Sequence, residues 1–134
     1  MADLQWSEWH PLTKKCQAAD VPDMPGIYEI RTDYEFGRLR GTSKVVYVGT
    51  AASGSRPSLR SRLVDQRIGN PDRFLSRTER LLRESGHDLE FHFATAIDGK
   101  TAKEMESRRL SEYEEEHWEL PPGNAVLPRA GKGE

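Results

Sequence analysis

The sequence predicts an α+β fold in which helices pack on a small antiparallel sheet. Three observations carry this. Two runs of β-branched and aromatic residues, Ile27-Tyr28 with Ile30 and then Val45-Val46-Tyr47-Val48, are joined by a hairpin-length link, which makes the two strands antiparallel. At Leu59 the apolar period changes to the helical spacing. Near residue 90 period-2 alternation returns, with Leu89, Phe91 and Phe93 on one face. The order is strand, strand, helix, helix, strand, helix.

Residues 1–22 form a lead-in, with Trp6, Trp9 and Leu12 laid on the core. Pro22, Pro25 and Gly26 punctuate the chain before the first strand, 26–31. Asp33, Gly37 and Gly41 mark residues 32–42 as the hairpin connection, and the second strand covers 44–49. A small-residue loop, 50–58, follows. Pro57 suits a first helical turn, and Leu59, Leu63 and Val64 set the buried face of a helix that Gly69-Asn70 ends. A second helix is expected over 72–84, with Phe74, Leu75, Leu81 and Leu82 in two i, i+7 pairs and Ser85-Gly86 as its stop. The third strand covers 88–95. The last helix runs over 101–118 and stops at Pro121-Pro122-Gly123. The domain proper is read as 23–126, and 127–134 as a flexible Gly-rich tail.

At 134 residues the chain suits one domain with one core, and folding buries roughly two-thirds of the unfolded surface. The lone Cys16 excludes an internal disulfide framework and a Cys-based zinc site, and fits a reducing, cytoplasmic setting. No apolar run is long enough to span a membrane, and the N-terminus, with Asp3 and Glu8, does not read as a secretory signal. Gly49 to Gly54 has P-loop-like spacing without the Lys-Ser or Lys-Thr that would follow. His10, His87, His92 and His117 lack zinc spacing, and no Gly-x-Ser-x-Gly elbow is present.

The formal net charge of -2 hides a segregation of charge. Residues 56–83 carry eight arginines, no lysine and three acids, a net of +5; residues 104–119 carry seven acids against Arg108 and Arg109, a net of -5. Guanidinium forks suit phosphate oxygens, so Arg56, Arg60, Arg62 and Arg67 are candidates for a polyanion-binding face. The other reading is two solvated helices that pair with each other. On the last helix Ala102, Met105, Arg109, Tyr113 and His117 trace one face, and Glu106 lies on it too. A carboxylate so placed costs several kcal/mol unless it pairs with an arginine or binds a cation. One carboxylate suits Mg2+, which keeps most of its waters and takes a further ligand from substrate phosphate. Tyr28 and Tyr47 each stand near a glycine, Gly26 and Gly49, where a substrate backbone has room to approach. Ordinary half-buried strand tyrosines are the alternative.

Together these pieces resemble the GIY-YIG nuclease superfamily. Pro25-Gly26-Ile27-Tyr28 and Val46-Tyr47-Val48-Gly49 look like the two halves of its motif. Leu59-Arg60-Ser61-Arg62-Leu63 resembles the helix that follows the second half. Residues 102–110 resemble its Ala-x-x-x-Glu-x-x-Leu helix, with Glu106 as the glutamate, and Pro122-Gly123-Asn124 resembles its Pro-x-Asn. The resemblance spans about residues 22–126. It implies a central three-stranded antiparallel sheet flanked by helices and a stand-alone endonuclease domain that hydrolyses phosphodiester bonds in DNA with one Mg2+ or Mn2+ ion. Tyr28 and Tyr47 would orient or deprotonate water, Arg62 would stabilise the charged phosphate, Glu106 would bind the metal and Asn124 would order the site. Thr50 and Gln66 stand where members often carry Lys and His or Tyr; they join Gly26, Gly49, Arg56, Arg60 and Arg67 on the substrate side. Glutamine is no base, so a proton role there moves to a tyrosine. Specificity would come from the loops, a homodimer or a partner protein. The alternative is a catalytically quiet nucleic-acid-binding or partner-dependent module of the same fold.

Overall fold

A computed structural model describes residues 4–52 and 57–124; Arg56 and the tail 127–134 lie outside the described residues. The β-branched run at Ile27 opens a strand longer than its pattern suggests. β2, Gly26–Gly37, turns back through residues 38–41 into β3, Thr42–Ala51. The turn closes with an Arg38 N–H donating to the Gly41 carbonyl at 2.9 Å, and Gly41 takes the left-handed φ of +74° that favours glycine. The expected connection over 32–42 thus shrinks to its tip, because register shifts after Ile30 and Arg31 let the strands keep pairing as far as Gly37 and Thr42.

β4, Glu90–Thr95, pairs antiparallel with β2. The sheet has four strands, not three. β1, His10–Pro11, pairs antiparallel with the outer edge of β4, giving the order β1-β4-β2-β3. The lead-in runs along that edge beyond the two paired residues: the Ser7 N–H donates to the Phe93 carbonyl at 2.8 Å and the Leu12 N–H to Leu89 at 3.0 Å. A bare strand edge invites pairing with other chains, and this segment occupies it. A two-residue strand has too little alternation to be seen in sequence.

Helical structure begins at Leu59, and Ser61–Ile68 is a π-helix whose last turn closes with the Gly69 N–H on the Val64 carbonyl at 2.8 Å. The helix expected over 72–84 is two helices, α1 at Pro71–Phe74 and α2 at Arg77–Glu84. Leu75 is extended between them, and Ser76 starts α2 with a capping box: its hydroxyl accepts from the Glu79 N–H, and the Glu79 carboxylate accepts from the Ser76 N–H. On α2 Leu81 is half exposed, while Glu79 is buried. α3, Gly99–His117, starts at Asp98, whose side chain accepts from the Thr101 N–H at 2.8 Å.

The sheet has two buried faces. Tyr28, Ile30, Phe91 and Phe93 join Leu12, Leu59, Leu63, Ile68 and Leu75 in the main core. On the opposite face α3 packs across β2 and β3, burying Ile27, Val48 and Ala102. There the buried Glu29 carboxylate binds His92 Nε2 at 2.8 Å and the Arg109 Nε. The His92 ring is clasped between Trp6 and Trp9, with centroids at 4.0 and 3.7 Å and nearly parallel planes. Among the described residues no helix is long and apolar enough to cross a membrane.

Candidate active site

Strand register decides which predicted residues meet. Tyr28 pairs with Gly49, and Ile30 pairs with Tyr47. Paired residues share a sheet face and alternation returns every second residue to it, so both tyrosine rings stand on the main-core side. Their centroids lie 6.1 Å apart, tilted by 46°. Gly49 makes this possible: a Cβ there would sit 2.6 Å from the Tyr28 hydroxyl and 2.6 Å from the Tyr47 ring. Tyr28 is buried, whereas Tyr47 is half-buried.

The π-helix brings Arg67 onto this pair. Its guanidinium lies 5.1 Å from the Tyr28 ring centre and 5.2 Å from that of Tyr47, and Nη1 donates to the Tyr28 hydroxyl at 2.7 Å. Its Nε donates to Glu79 Oε1 at 3.2 Å, and Glu79 is completely buried. Burial pushes the Tyr28 phenol well above its ordinary range; Arg67 and Arg62 pull it back, while Tyr47 and Glu79 add to the rise. Tyr28 is therefore a protonated phenol. For Arg67, burial opposes its charge, but the two phenols and Glu79 outweigh that and hold the proton more firmly than usual.

Thr50 pairs with Ile27, on the α3 side of the sheet. Its hydroxyl donates to Glu106 Oε2 at 3.1 Å, and Glu106 is partly exposed. The partner of Glu106 is thus a hydroxyl, whereas Arg109 binds Glu29 and Arg108 lies 4.0 Å from Glu112. A partly exposed carboxylate beside a hydroxyl is an all-oxygen donor set, which suits a hard cation such as Mg2+ that retains its waters. No group of three or more His, Cys, Asp or Glu that could hold a metal occurs among the described residues.

Asn124 closes the arrangement from the far side of β3. Its Oδ1 accepts from the Val48 N–H and its Nδ2 donates to the Val48 carbonyl, both at 2.8 Å, so one amide side chain substitutes for a neighbouring strand. Gly123 permits the approach, since a Cβ there would meet the Val46 carbonyl at 2.7 Å.

The remaining predicted residues divide. Arg62 lies on the π-helix and acts electrostatically on Tyr28; Gln66, on the same helix, is half-buried. Arg60 holds the lead-in, its Nε donating to the Val21 carbonyl at 2.9 Å and to Ala18 at 3.1 Å. The room a side chain would need at Gly26 is filled by the Ala94 carbonyl at 2.3 Å and Leu59 at 2.8 Å. Tyr28, Tyr47, Gly49 and Arg67 form one cluster with Arg62 acting on it; Thr50 and Glu106 form another on the other side of the sheet; Asn124 braces β3 between them.

Sequence reasoning missed Glu79. The Ser76-x-x-Glu79 spacing was legible as a capping box, but only the fold shows that the same carboxylate reaches Arg67. It also missed the Glu29–His92–Arg109 cluster, whose members come from three separate elements. Comparison with protein-family models, with curated proteins and with solved structures finds no match.

Proposed function

We propose that this chain is a metal-dependent endonuclease that hydrolyses phosphodiester bonds in DNA, a domain of the GIY-YIG kind. The observation that supports it best is the pair of phenols over Gly49 with the buried Arg67 against both rings. Two tyrosines at the motif positions with the buried Arg67 against both rings support a chemical role for the cluster over packing alone.

The chain's own groups divide the work. Tyr47, the more accessible of the two, takes a proton from the attacking water as its phenolate and so becomes the phenol; Tyr28, held protonated, donates a hydrogen bond. Arg62 neutralises charge on the phosphate. Asn124 keeps Val48, and with it the neighbouring Tyr47, in place. Glu106, with Thr50 beside it, would hold the metal ion. When bound, the ion would supply charge neutralisation at the phosphate and at the leaving oxygen; since Thr50 and Glu106 stand on the α3 face and the two phenols on the other, the proposal requires a phosphate reached from both faces of the sheet. The arginines of residues 56–83 other than Arg60 and Arg67, which the fold holds, would meet the phosphate backbone and position the substrate without reading its sequence.

The test is cleavage of plasmid and single-stranded DNA at low salt with Mg2+, Mn2+ or EDTA, comparing wild type, Glu106→Ala and Tyr47→Phe. Metal-dependent cutting that both variants lose supports the proposal. DNA retention with no cutting by wild type assigns the catalytically quiet binding module instead. Neither binding nor cutting rejects DNA as the substrate.

A further inference from the structure

We infer that Glu79, acting through Arg67, is a positioning residue that holds the Tyr28 hydroxyl as a hydrogen-bond donor toward the substrate; this rests on the nuclease reading above. Glu79 is fully buried, and a buried carboxylate is strongly unfavourable unless each oxygen is satisfied. Both are: Oε1 takes the Arg67 Nε–H at 3.2 Å, and Oε2 takes the Ser76 N–H at 2.7 Å. The second contact ties Glu79 to the start of α2, so the carboxylate stands on a fixed backbone. Arg67 is itself buried, and its planar fork sends Nε to Glu79 and Nη1 to Tyr28. Fixing one branch fixes the other.

Direction follows from donor chemistry. Arginine only donates, so the 2.7 Å contact occupies a lone pair of the Tyr28 oxygen. The phenol proton is thereby turned away from Arg67. A Cβ at position 49 would stand 2.6 Å from that hydroxyl, so the glycine is what lets the Tyr28 ring lie against the β3 backbone with its oxygen so placed. Without Glu79, Arg67 would still carry its charge but would be free to swing, and the hydroxyl would lose its fixed direction.

The experiment combines steady-state DNA cleavage with ultraviolet titration of the tyrosines, on the full chain, for wild type, Glu79→Gln, Tyr28→Phe and the double variant. Glu79→Gln is expected to lower kcat about 10- to 100-fold, the scale of a misplaced reacting group, with KM for DNA unchanged. In the Tyr28→Phe background the same change is expected to cost nothing further, because its effect passes through that hydroxyl. Arg67, Arg62, Tyr47 and Glu79 are the groups that face the Tyr28 phenol. Loss of the Glu79 charge leaves the two cations less opposed, so the phenol that vanishes in Tyr28→Phe is expected to ionise at lower pH. An unchanged kcat, fully additive losses or an unmoved phenol overturns the inference. If Glu79→Gln does not fold, Arg67→Lys keeps the buried charge but offers no fork for two partners. It is expected to show the same kcat loss and the same non-additivity with Tyr28→Phe, and full activity in it overturns the inference. A wild type that cuts no DNA removes the nuclease reading. The titration then decides alone: a lowered phenol keeps Glu79 as the residue that sets Tyr28, and an unmoved one rejects it.

Discussion

At Gly49 the absence of a side chain is a geometric requirement. The Tyr28 hydroxyl and the Tyr47 ring both come within 2.6 Å of where a Cβ would stand, and a backbone-anchored methyl cannot retreat. Gly49→Ala is expected to push the two rings apart, destabilise by about 1–3 kcal/mol as overpacked cores do, and abolish DNA cleavage. Urea unfolding and a cleavage assay check the two halves. Asn124 is the complementary case. Asn124→Ala removes both hydrogen bonds to Val48 and is expected to cost about 1–3 kcal/mol in the same unfolding measurement. These residues were legible in the sequence, Gly49 because it stands two after the motif Tyr47 and Asn124 because Pro122-Gly123-Asn124 resembles a Pro-x-Asn. Arg67 was read from the sequence as a substrate-side arginine and not as the partner of Tyr28, and Glu79 only as a counter-charge. Their mutual contact depends on how the π-helix and α2 meet, which no local pattern encodes.

Among the elements, caps carry more of the boundary information than apolar periodicity does. The periodic leucines suggest one helix over 72–84, yet the box formed by Ser76 and Glu79 starts a new one. Ser76→Ala is expected to cost about 1 kcal/mol by urea unfolding, since it removes the cap from the first turn of α2. α3 begins with an ionisable cap. The Thr101 N–H and hydroxyl hold the Asp98 carboxyl below its ordinary value, and the Asp88 N–H with His87 does the same for Asp33 on β2. A carboxyl depressed in the folded state stabilises above its unfolded value, roughly pH 4, and that contribution fades as pH falls through the folded value. The urea midpoint of wild type is therefore expected to exceed that of Asp98→Asn at neutral pH and to converge with it in acid. The strands and α3 were readable from alternation and stop signals. The two-residue β1 was not, because a segment that short is defined by its partner, the open edge of β4.

For the molecule as a whole, the lead-in closes the β4 edge and clasps His92 over the sheet. A chain beginning after residue 12 is expected to expose that edge and associate with itself, seen as concentration-dependent mass in analytical ultracentrifugation, while wild type shows none. The segregated charge also resolves locally. Arg67 finds its acid within the basic segment, and Arg109 finds Glu29 in the sheet, so the charge reading of two helices pairing with each other does not describe these contacts. One consequence concerns light. The chain has three tryptophans, and two of them lie face to face with a single imidazole, whereas Trp118 is largely exposed. An imidazole in face contact quenches indole emission. The native protein is thus expected to be dimmer than its tryptophan content suggests, with Trp118 dominating the spectrum. Detachment of the lead-in would brighten the other two before the core melts. Emission and circular dichroism would then trace separate transitions on the same sample.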